Sequence, residues 1–334
     1  MKVFIAGLLN IETTISVRKF PIDYYPIDYP FFGINASVSG VAYNISKALK
    51  TLGDKVNLCS YIADDFEGRT ILEELKKEKI NSKGIKKELK KTPVSAILYD
   101  DTGKRQIYCD LKDIQEHSLN DEDVDNMGIN DIYVVCNINF NRNILKDVKE
   151  KNKLIATDVH VLSNIDDEYN KGFMEAADIL FMSDEAMPYE PERFIRDIVA
   201  KYSNKIVVIG MGDKGAMLYD KSTDKVFRVG VVTCENVVNT VGAGDALFSS
   251  FLHFYAKDGN AVEALVRAEI FASEKIKANG AAYGFVDKET IEELIKVKRP
   301  NIEEIFLISI DSCCIFINWY FSTLWVYHML HSRS

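Results

Sequence analysis

Short apolar runs alternate with helical segments along most of the chain, and this alternation limits the possible folds more than any other sequence feature. Segment 40–53 places apolar residues on one helical face, and segment 68–79 has the composition of a charged surface helix. The strand-like runs lie at residues 2–7, 56–62, 132–136, 154–157, 179–181 and 206–209. Strands joined through helices pair in parallel and are covered on both faces. The sequence therefore predicts an α/β fold with a doubly wound, mostly parallel sheet and helices on both faces.

Two segments depart from this alternation. Residues 92–111 alternate between apolar and polar side chains around Asp101, Thr102 and Gly103, a pattern typical of a β-hairpin. Residues 11–32 are rich in Tyr, Pro and Phe and have no helical period. Excursions from a doubly wound core often cover a ligand cleft, although a plain surface hairpin is the alternative. We therefore expect a small β lid from segments 11–35 and 92–112.

The composition is that of a globular protein and excludes several classes of function. The 334 residues include 41 Lys and Arg against 50 Asp and Glu, which gives a formal net charge of -9. Nucleic-acid binding requires basic surface, so we expect no nucleic-acid partner. The six cysteines form no CxxC pair and have no zinc-ligand spacing with histidine, and the N-terminus has no signal-peptide pattern. These features predict a cytoplasmic protein.

The C-terminal segment differs in composition from the rest of the chain. Residues 305–330 are dominated by Ile, Phe, Cys, Trp and Tyr, and they include both tryptophans. The sequence thus predicts a folded domain over residues 1–300 and an atypical hydrophobic tail over residues 301–334. The tail is long enough for a membrane anchor, but Asp311 and Asn318 argue against one. We therefore favour a helix docked on the domain, or residues beyond the true domain end, over an anchor.

The segment with the most chemical content is the glycine turn at Gly242, Ala243 and Gly244, followed by Asp245 and an apolar helix. Glycine permits backbone conformations and close approaches that a Cβ would block. Amides that converge at a helix N-terminus favour an anion such as a phosphate. An aspartate at this position can accept a proton from an attacking hydroxyl. The alternative is an aspartate that caps the helix beside an ordinary turn.

Residues 238–252 resemble the C-terminal signature of the ribokinase-like (PfkB) carbohydrate kinases. Residues 39–44 resemble the substrate region of that family, and residues 63–68 resemble its G-x-D-x-x-G stretch. The resemblance covers about residues 2–297. It implies a ribokinase-like fold and phosphorylation, dependent on ATP and Mg²⁺, of a hydroxyl group on a small sugar or nucleoside. Lid strands in this family often pair two subunits, so a homodimer through those strands is one assembly that the resemblance implies.

The resemblance also implies roles for individual residues. Asp245 resembles the catalytic base, and Gly242, Ala243 and Gly244 resemble the anion hole around the transferred phosphoryl group. The residues expected to bind the substrate are Asn10, Glu12, Gly40 and Asn44. The residues expected to line the nucleotide site are Ser183, Gly210, Gly212, Gly215, Thr240, Ala272 and Gly280. Glu185 is expected to act on the metal through a water molecule.

Several positions depart from the family pattern. Glu12 stands where the family usually has aspartate, which places the identity of the sugar in doubt more than the reaction. Ser183 begins a segment that replaces the usual N-x-x-E. Asn239 replaces an aspartate that often helps to bind a monovalent cation, so the sequence does not predict potassium dependence. These departures leave a non-catalytic sugar or nucleotide sensor on the same fold as the alternative function.

Residues 210–215 formally match the GxGxxG fingerprint of dinucleotide-binding proteins. That fingerprint requires a helix to begin within the motif. Here the following residues 216–230 form two strand-like runs around a polar turn, which predicts a hairpin. The segment instead resembles the part of the kinases that lies along the nucleotide. No GxxxxGK[ST] loop is present, which excludes a P-loop kinase.

Overall fold

The computed structural model describes residues 1–306. The strands are β1 (Lys2–Ala6), β2 (Asn10–Ser16), β3 (Ile34–Ser39), β4 (Lys55–Ile62), β5 (Asn81–Lys87), β6 (Val94–Tyr99), β7 (Arg105–Asp110), β8 (Ile132–Val135), β9 (Leu154–Val161), β10 (Ile179–Ser183), β11 (Ile206–Gly210), β12 (Ala216–Asp220), β13 (Lys225–Val229) and β14 (Ile302–Ile305). The α-helices are α1 (Val41–Thr51), α2 (Phe66–Lys77), α3 (Asp121–Asp125), α4 (Arg142–Glu150), α5 (Lys171–Ala176), α6 (Pro191–Lys201), α7 (Ala243–Asp258), α8 (Ala261–Lys275) and α9 (Lys288–Lys298).

The larger of two sheets has ten strands in the order β14-β13-β12-β11-β10-β9-β8-β1-β4-β5. The strands from β11 to β5 run parallel to one another, and β12, β13 and β14 add an antiparallel edge. This arrangement confirms the predicted mostly parallel sheet. The chain leaves β1 toward β4 on one side and later returns to β8 on the other. Such a reversal opens a crevice at the carboxyl ends of the strands, where α/β proteins bind ligands.

Helices cover both faces of the large sheet, as the sequence predicts. Along β1, Val3 and Ile5 face one core and Phe4 and Ala6 face the other, because successive side chains of a strand point to opposite faces. Buried residues of α1, α7 and α8 belong to the first core, and those of α4, α5 and α6 belong to the second. Burial of each large apolar side chain contributes roughly 1.5–3 kcal/mol to folding. The two cores hold the carboxyl ends of the strands in a fixed arrangement.

The second sheet has four strands in the order β3-β2-β6-β7. β6 and β7 form the antiparallel hairpin that the sequence predicts within residues 92–111. At its turn, Asp100 Oδ1 accepts hydrogen bonds from the backbone amides of Thr102 (3.0 Å) and Lys104 (3.1 Å). β2 pairs in parallel with β6 and antiparallel with β3, so the two excursions of the chain meet in one sheet. We call this four-stranded sheet the lid sheet.

The last described strand, β14, pairs antiparallel with β13 at the edge of the large sheet. The sheet thus reaches past residue 300, where the composition predicts the end of the domain. Residues 307–334, which make up most of the predicted hydrophobic tail, lie outside the described residues. Within residues 1–306, none of the helices combines the length and the apolar character that a membrane crossing requires.

Candidate active site

A cleft of about 920 Å³ lies at the carboxyl ends of β1, β9, β10 and β11 and is closed on one side by the lid sheet. All of the sequence-predicted site residues line it except Gly280. The predicted residues in its walls are Asn10, Glu12, Gly40, Asn44, Ser183, Glu185, Gly210, Gly212, Gly215, Thr240, Gly242, Ala243, Gly244, Asp245 and Ala272. Residues from distant parts of the chain therefore share a single cavity at the crevice that the sheet topology creates.

The glycine turn begins helix α7. Gly242 has a φ of 82°, and a Cβ at this position would lie 2.3 Å from the carbonyl oxygen of Ala281. Only glycine fits such a left-handed position beside another backbone. The amide of Ala243 donates to the carbonyl of Thr240 at 3.1 Å. The sequence predicts Ala243 in the anion hole, but its amide is occupied by this hydrogen bond. The amides of Gly244 and Asp245 have no backbone partner within residues 1–306, and both residues line the cleft.

Asp245 lies in the first turn of α7, half-buried in the wall of the cleft. Its Oδ2 accepts a 2.7 Å hydrogen bond from the side-chain amide of Asn44. Burial raises the pKa of Asp245 to about 6, although the charge of His160 and the Asn44 hydrogen bond oppose that shift. The carboxylate is therefore mostly ionised at neutral pH and more basic than an exposed aspartate. A general base works best when its pKa lies near the operating pH.

Asn44 lies on the inner face of α1 and is 4% exposed. The sequence predicts a ligand hydroxyl as the partner of its side chain, and in the structure that partner is Asp245. The hydroxyl of Ser39 donates to Glu12 Oε2 at 3.1 Å and lies 3.4 Å from Asn44 Oδ1. A continuous polar network thus connects the lid sheet to the first turn of α7. Such networks fix the positions of the groups that they connect.

Two buried acceptors in β2, at the other end of the cleft, lack hydrogen-bond partners among the described residues. Asn10 donates through Nδ2 to Ser95 Oγ at 2.9 Å, but within residues 1–306 its Oδ1 has no hydrogen-bond partner, and neither has Glu12 Oε1. Burial raises the pKa of Glu12, and the negative charge of Asp245 adds to that shift. Buried polar atoms in native proteins are nearly always satisfied. Both oxygens therefore call for donors from a ligand, and hydroxyl groups provide them.

Gly40 connects β3 to α1 with a φ of 99°, and a Cβ here would lie 2.4 Å from the carbonyl oxygen of Leu8. This close approach brings the loop after β1 against the start of the helix that carries Asn44.

The pfkB family carbohydrate kinase model matches residues 2–288 of the chain. The chain belongs to this family. The match confirms the predicted family, and the matched range agrees closely with the residues that carry the resemblance.

Individual relatives of this kinase agree with the family assignment. A 5-dehydro-2-deoxygluconokinase of Mesomycoplasma hyopneumoniae (strain 232) is 27% identical over 282 residues, which cover 75% of this chain and 82% of that protein. The structure of Arabidopsis thaliana ribokinase complexed with ribose and ATP has a TM-score of 0.74 and 19% identity, over 89% of this chain and 99% of that one. The structure of Methanocaldococcus jannaschii nucleoside kinase has a TM-score of 0.71 and 22% identity, over 88% and 98% of the two chains. These similarities confirm the predicted fold class.

The predicted nucleotide site of the kinase lies at the ends of β10 and β11. Gly210, Gly212 and Gly215 line the cleft, and β12 and β13 then form an antiparallel hairpin. The hairpin confirms that this glycine segment does not begin the helix that a dinucleotide fingerprint requires. Gly280 does not line the cleft, whereas its neighbour Ala281 does. The backbone of Ala281 also forms the wall against which Gly242 packs.

Glu185, the predicted metal residue, lies after β10 in the cleft wall. Its Oε2 lies 3.7 Å from Nη2 of Arg105, which is the first residue of β7 in the lid sheet. Residues 1–306 contain no cluster of three or more His, Cys, Asp or Glu side chains suited to hold a metal ion. Mg²⁺ in phosphoryl-transfer sites is held mainly by substrate phosphates with one or two carboxylates. A single carboxylate beside the cleft is compatible with that mode of binding.

Titratable side chains in or beside the cleft that were not among the sequence-predicted site residues include His160, Arg105, Glu269 and Lys275. His160 follows Asp158 at the end of β9, and Arg105 projects from the lid sheet. Glu269 and Lys275 lie on α8 with 7% and 0% of their surface exposed, and Glu269 lines the cleft while Lys275 lies beneath the glycine turn. A charged residue on the apolar face of a helix needs a specific partner, because its burial is otherwise costly. This pattern is the sequence signal that could have identified Glu269 and Lys275.

Proposed function

We propose that this kinase transfers the γ-phosphoryl group of ATP to a hydroxyl group of a small sugar or nucleoside, with Asp245 as the general base. The observation that carries the proposal is the pairing of a basic carboxylate and free amides in one helical turn. The carboxylate of Asp245 is held by Asn44, and Gly244 and Asp245, whose amides have no backbone partner within residues 1–306, line the same cleft. A proton acceptor and an anion site are the two groups that phosphoryl transfer requires beside each other.

The chemistry follows from this arrangement. The acceptor hydroxyl gives its proton to Asp245 while its oxygen forms a bond to the γ-phosphorus. The bond between the γ-phosphorus and the bridging oxygen of ADP breaks in the same step. The amides of Gly244 and Asp245, at the positive end of α7, stabilise the charge on the transferred group. The unpartnered oxygens of Asn10 and Glu12 accept hydrogen bonds from other hydroxyl groups of the substrate and so orient it.

We propose that Mg²⁺ accompanies ATP, with Glu185 acting on it through water. When bound, the ion neutralises charge on the β- and γ-phosphates. The lid sheet, to which segments 11–35 and 92–112 contribute, excludes water from the cleft so that ATP is not hydrolysed. Arg105 reaches from the lid sheet toward Glu185, which lies on the large sheet. This contact supports closure of the lid over the nucleotide.

Two further features support the assembly and the location that we propose. β3 and β7 are the edge strands of the lid sheet, and all six residues of β7 are exposed. Exposed edge strands pair readily with another strand, so we propose a homodimer through the lid sheets. We propose a cytoplasmic location, because ATP is available there and, within residues 1–306, the cysteines Cys59, Cys109, Cys136 and Cys234 form no disulfide with one another. Light scattering of the purified protein measures the assembly directly.

ADP release by the purified protein tests the proposed function. Mg-ATP is supplied with a panel of sugars, sugar acids, sugar phosphates and nucleosides, and Asp245→Asn is assayed beside the wild type. We expect acceptor-dependent ADP release that the variant loses. A non-catalytic sensor would instead be stabilised thermally by a ligand from the panel without ADP release. That outcome would contradict the proposed function.

A further inference from the structure

Lys275 is the last residue of α8, and its side chain is 0% exposed. The side chain extends beneath the glycine turn, where its ammonium donates to the backbone carbonyl of Val241 and lies 3.4 Å from the carbonyl of Asn239. These two residues flank Thr240 and precede the turn at Gly242. A buried charge is costly unless it is paired or hydrogen-bonded. The position of this ammonium therefore calls for a functional explanation.

The loop that receives the ammonium is fastened to the end of α8. The amides of Val238 and Asn239 donate to the carbonyl of Ile276 at 2.9 and 3.1 Å. The side-chain amide of Asn239 donates to Asn279 Oδ1 at 3.1 Å, and Asn239 Oδ1 accepts from the amide of Val241 at 2.8 Å. The C-terminal end of a helix carries partial negative charge, which favours a cation. The ammonium thus lies at a point where backbone carbonyls and a helix end both favour positive charge.

The surrounding charges keep the amine protonated. Burial lowers the pKa of Lys275 to about 8, while the carboxylates of Asp245 and Glu12 oppose that shift and Arg105 adds to it. Most of the molecules therefore carry the ammonium at neutral pH. Convergent backbone carbonyl oxygens are also the ligands with which proteins hold bare monovalent cations. An ammonium on carbonyl oxygens provides the same charge from within the chain.

We propose that the ammonium of Lys275 takes the place of a bound monovalent cation beneath the glycine turn. It holds the carbonyls of Asn239 and Val241, so that the amides of Gly244 and Asp245 stay directed at the transferred phosphoryl group. Lys275 is a positioning residue, because it acts through the turn and does not line the cleft. The consequence is a kinase whose activity does not require K⁺ or NH₄⁺. This inference rests on the proposed function.

Three variants test the inference. Lys275→Ala removes the ammonium and leaves room for a free cation beside the two carbonyls, whereas Lys275→Met removes the charge and fills the space. Lys277→Ala is the matched control, because Lys277 lies two residues along, is exposed and pairs with Glu274 at 2.7 Å. ADP release and Mg-ATP affinity are measured for each variant in choline, Na⁺, K⁺ and NH₄⁺ salts of equal ionic strength. Thermal unfolding establishes that each variant is folded.

We expect wild type and Lys277→Ala to have the same turnover in all four salts. Loss of one group that supports an anion hole lowers turnover by about 10²-fold, and we expect this loss in choline for both Lys275 variants. K⁺ or NH₄⁺ should restore Lys275→Ala by about tenfold or more, by supplying the missing charge, and should not restore Lys275→Met. If Lys275 acted through packing alone, Lys275→Met would have a higher turnover than Lys275→Ala, and the salt would not change the turnover of either variant.

Strong stimulation of the wild type by K⁺ or NH₄⁺ would overturn the inference, and so would full activity of Lys275→Ala in choline. If Lys275→Ala does not fold, the cation profile of the wild type decides alone. Absence of ADP release by the wild type in every salt contradicts the proposed function separately. In that case the affinity for Mg-ATP decides the inference. The inference requires that the monovalent cation in the salt has no effect on the Mg-ATP affinity of the wild type. It also requires that the cation changes the Mg-ATP affinity of Lys275→Ala.

Discussion

The side-chain amide of Asn44 donates a 2.7 Å hydrogen bond to Asp245 Oδ2 across 201 residues of sequence. This bond joins the first helix of the chain to the helix that begins at the glycine turn. Asn44 cannot accept the proton that Asp245 gains in the reaction, so it orients the carboxylate without competing for that proton. The same contact connects the end of the cleft where we propose that substrate hydroxyl groups bind to the end where we propose that the phosphoryl group binds.

Replacement of the proposed base removes turnover and keeps the fold. Asp245→Asn retains the shape of the side chain but cannot accept the proton, so we expect turnover to fall by about 10² to 10⁴-fold. Asp258→Asn is the matched control, because Asp258 is exposed at the opposite end of α7. The measurement is steady-state ADP release with circular dichroism of both variants. Turnover of Asp245→Asn near that of Asp258→Asn would contradict the assignment of the base.

The pH dependence of the acceptor reaction reports the ionisation of Asp245. Burial raises the pKa of this carboxyl to about 6, and only the ionised form accepts a proton. We therefore expect kcat/KM for the acceptor to be highest between pH 6 and pH 8, where Asp245 is ionised and Lys275 is protonated, and to fall by about tenfold per pH unit below pH 6. Glu12→Gln should keep this profile, which separates the titration of Asp245 from that of Glu12. A rate that stays constant down to pH 5 would contradict this prediction.

Two alanine substitutions in the glycine turn have opposite consequences. A Cβ at Gly242 meets the Ala281 backbone and requires a left-handed residue, so Gly242→Ala should lower the free energy of unfolding by roughly 3 kcal/mol. A Cβ at Gly244 meets no atom within 4 Å. Gly244→Ala should therefore fold, with up to about 1 kcal/mol of added helix stability, and should lose Mg-ATP turnover because the methyl group lies in the anion site. Denaturant unfolding and ADP release measure the two effects.

Glu12 is expected to act on the acceptor and not on ATP. Its Oε1 is buried and has no hydrogen-bond partner in the described part of the chain, so we expect loss of its charge to weaken hydrogen bonds to substrate hydroxyl groups. Glu12→Gln should lower kcat/KM for the acceptor by about 10 to 10²-fold and leave KM for ATP unchanged. Glu73→Gln, a change on the exposed surface of α2, should alter neither constant. An equal effect of Glu12→Gln on both substrates would argue for a general distortion of the cleft.

Glu269 should make the stability of the kinase depend on pH. Burial raises the pKa of this carboxyl from 4.5 to about 8, so the folded state keeps a proton that the unfolded state releases. Wild-type stability therefore decreases as the pH rises from 4.5 to about 8. Glu269→Gln should gain unfolding free energy relative to the wild type between pH 5 and pH 8, on the order of 3 kcal/mol. Glu293→Gln, at an exposed position of α9, should show no such gain in denaturant unfolding.

Local sequence patterns predicted the main elements of the fold and the turn that carries the chemistry. The period of apolar residues marks strands and helices, because one face of each element must be buried. The hairpins at residues 92–111 and 216–230 followed from alternation around turn residues. The glycines before Asp245 indicated an anion site, because glycine permits the backbone conformations that such a turn requires. The family resemblance then assigned roles to residues that, except for Gly280, all line the cleft.

Contacts between distant segments were decided only by the tertiary structure. The amide of Ala243 is occupied by Thr240, and Gly280 lies outside the cleft, which no spacing in the sequence indicates. The charged residues Glu269 and Lys275 occur in an ordinary helical segment, and their burial depends on the packing of α8 against the glycine loop. A sequence pattern specifies which face of an element is apolar. The partner of each polar side chain depends on how separate elements pack, and that is a property of the whole fold.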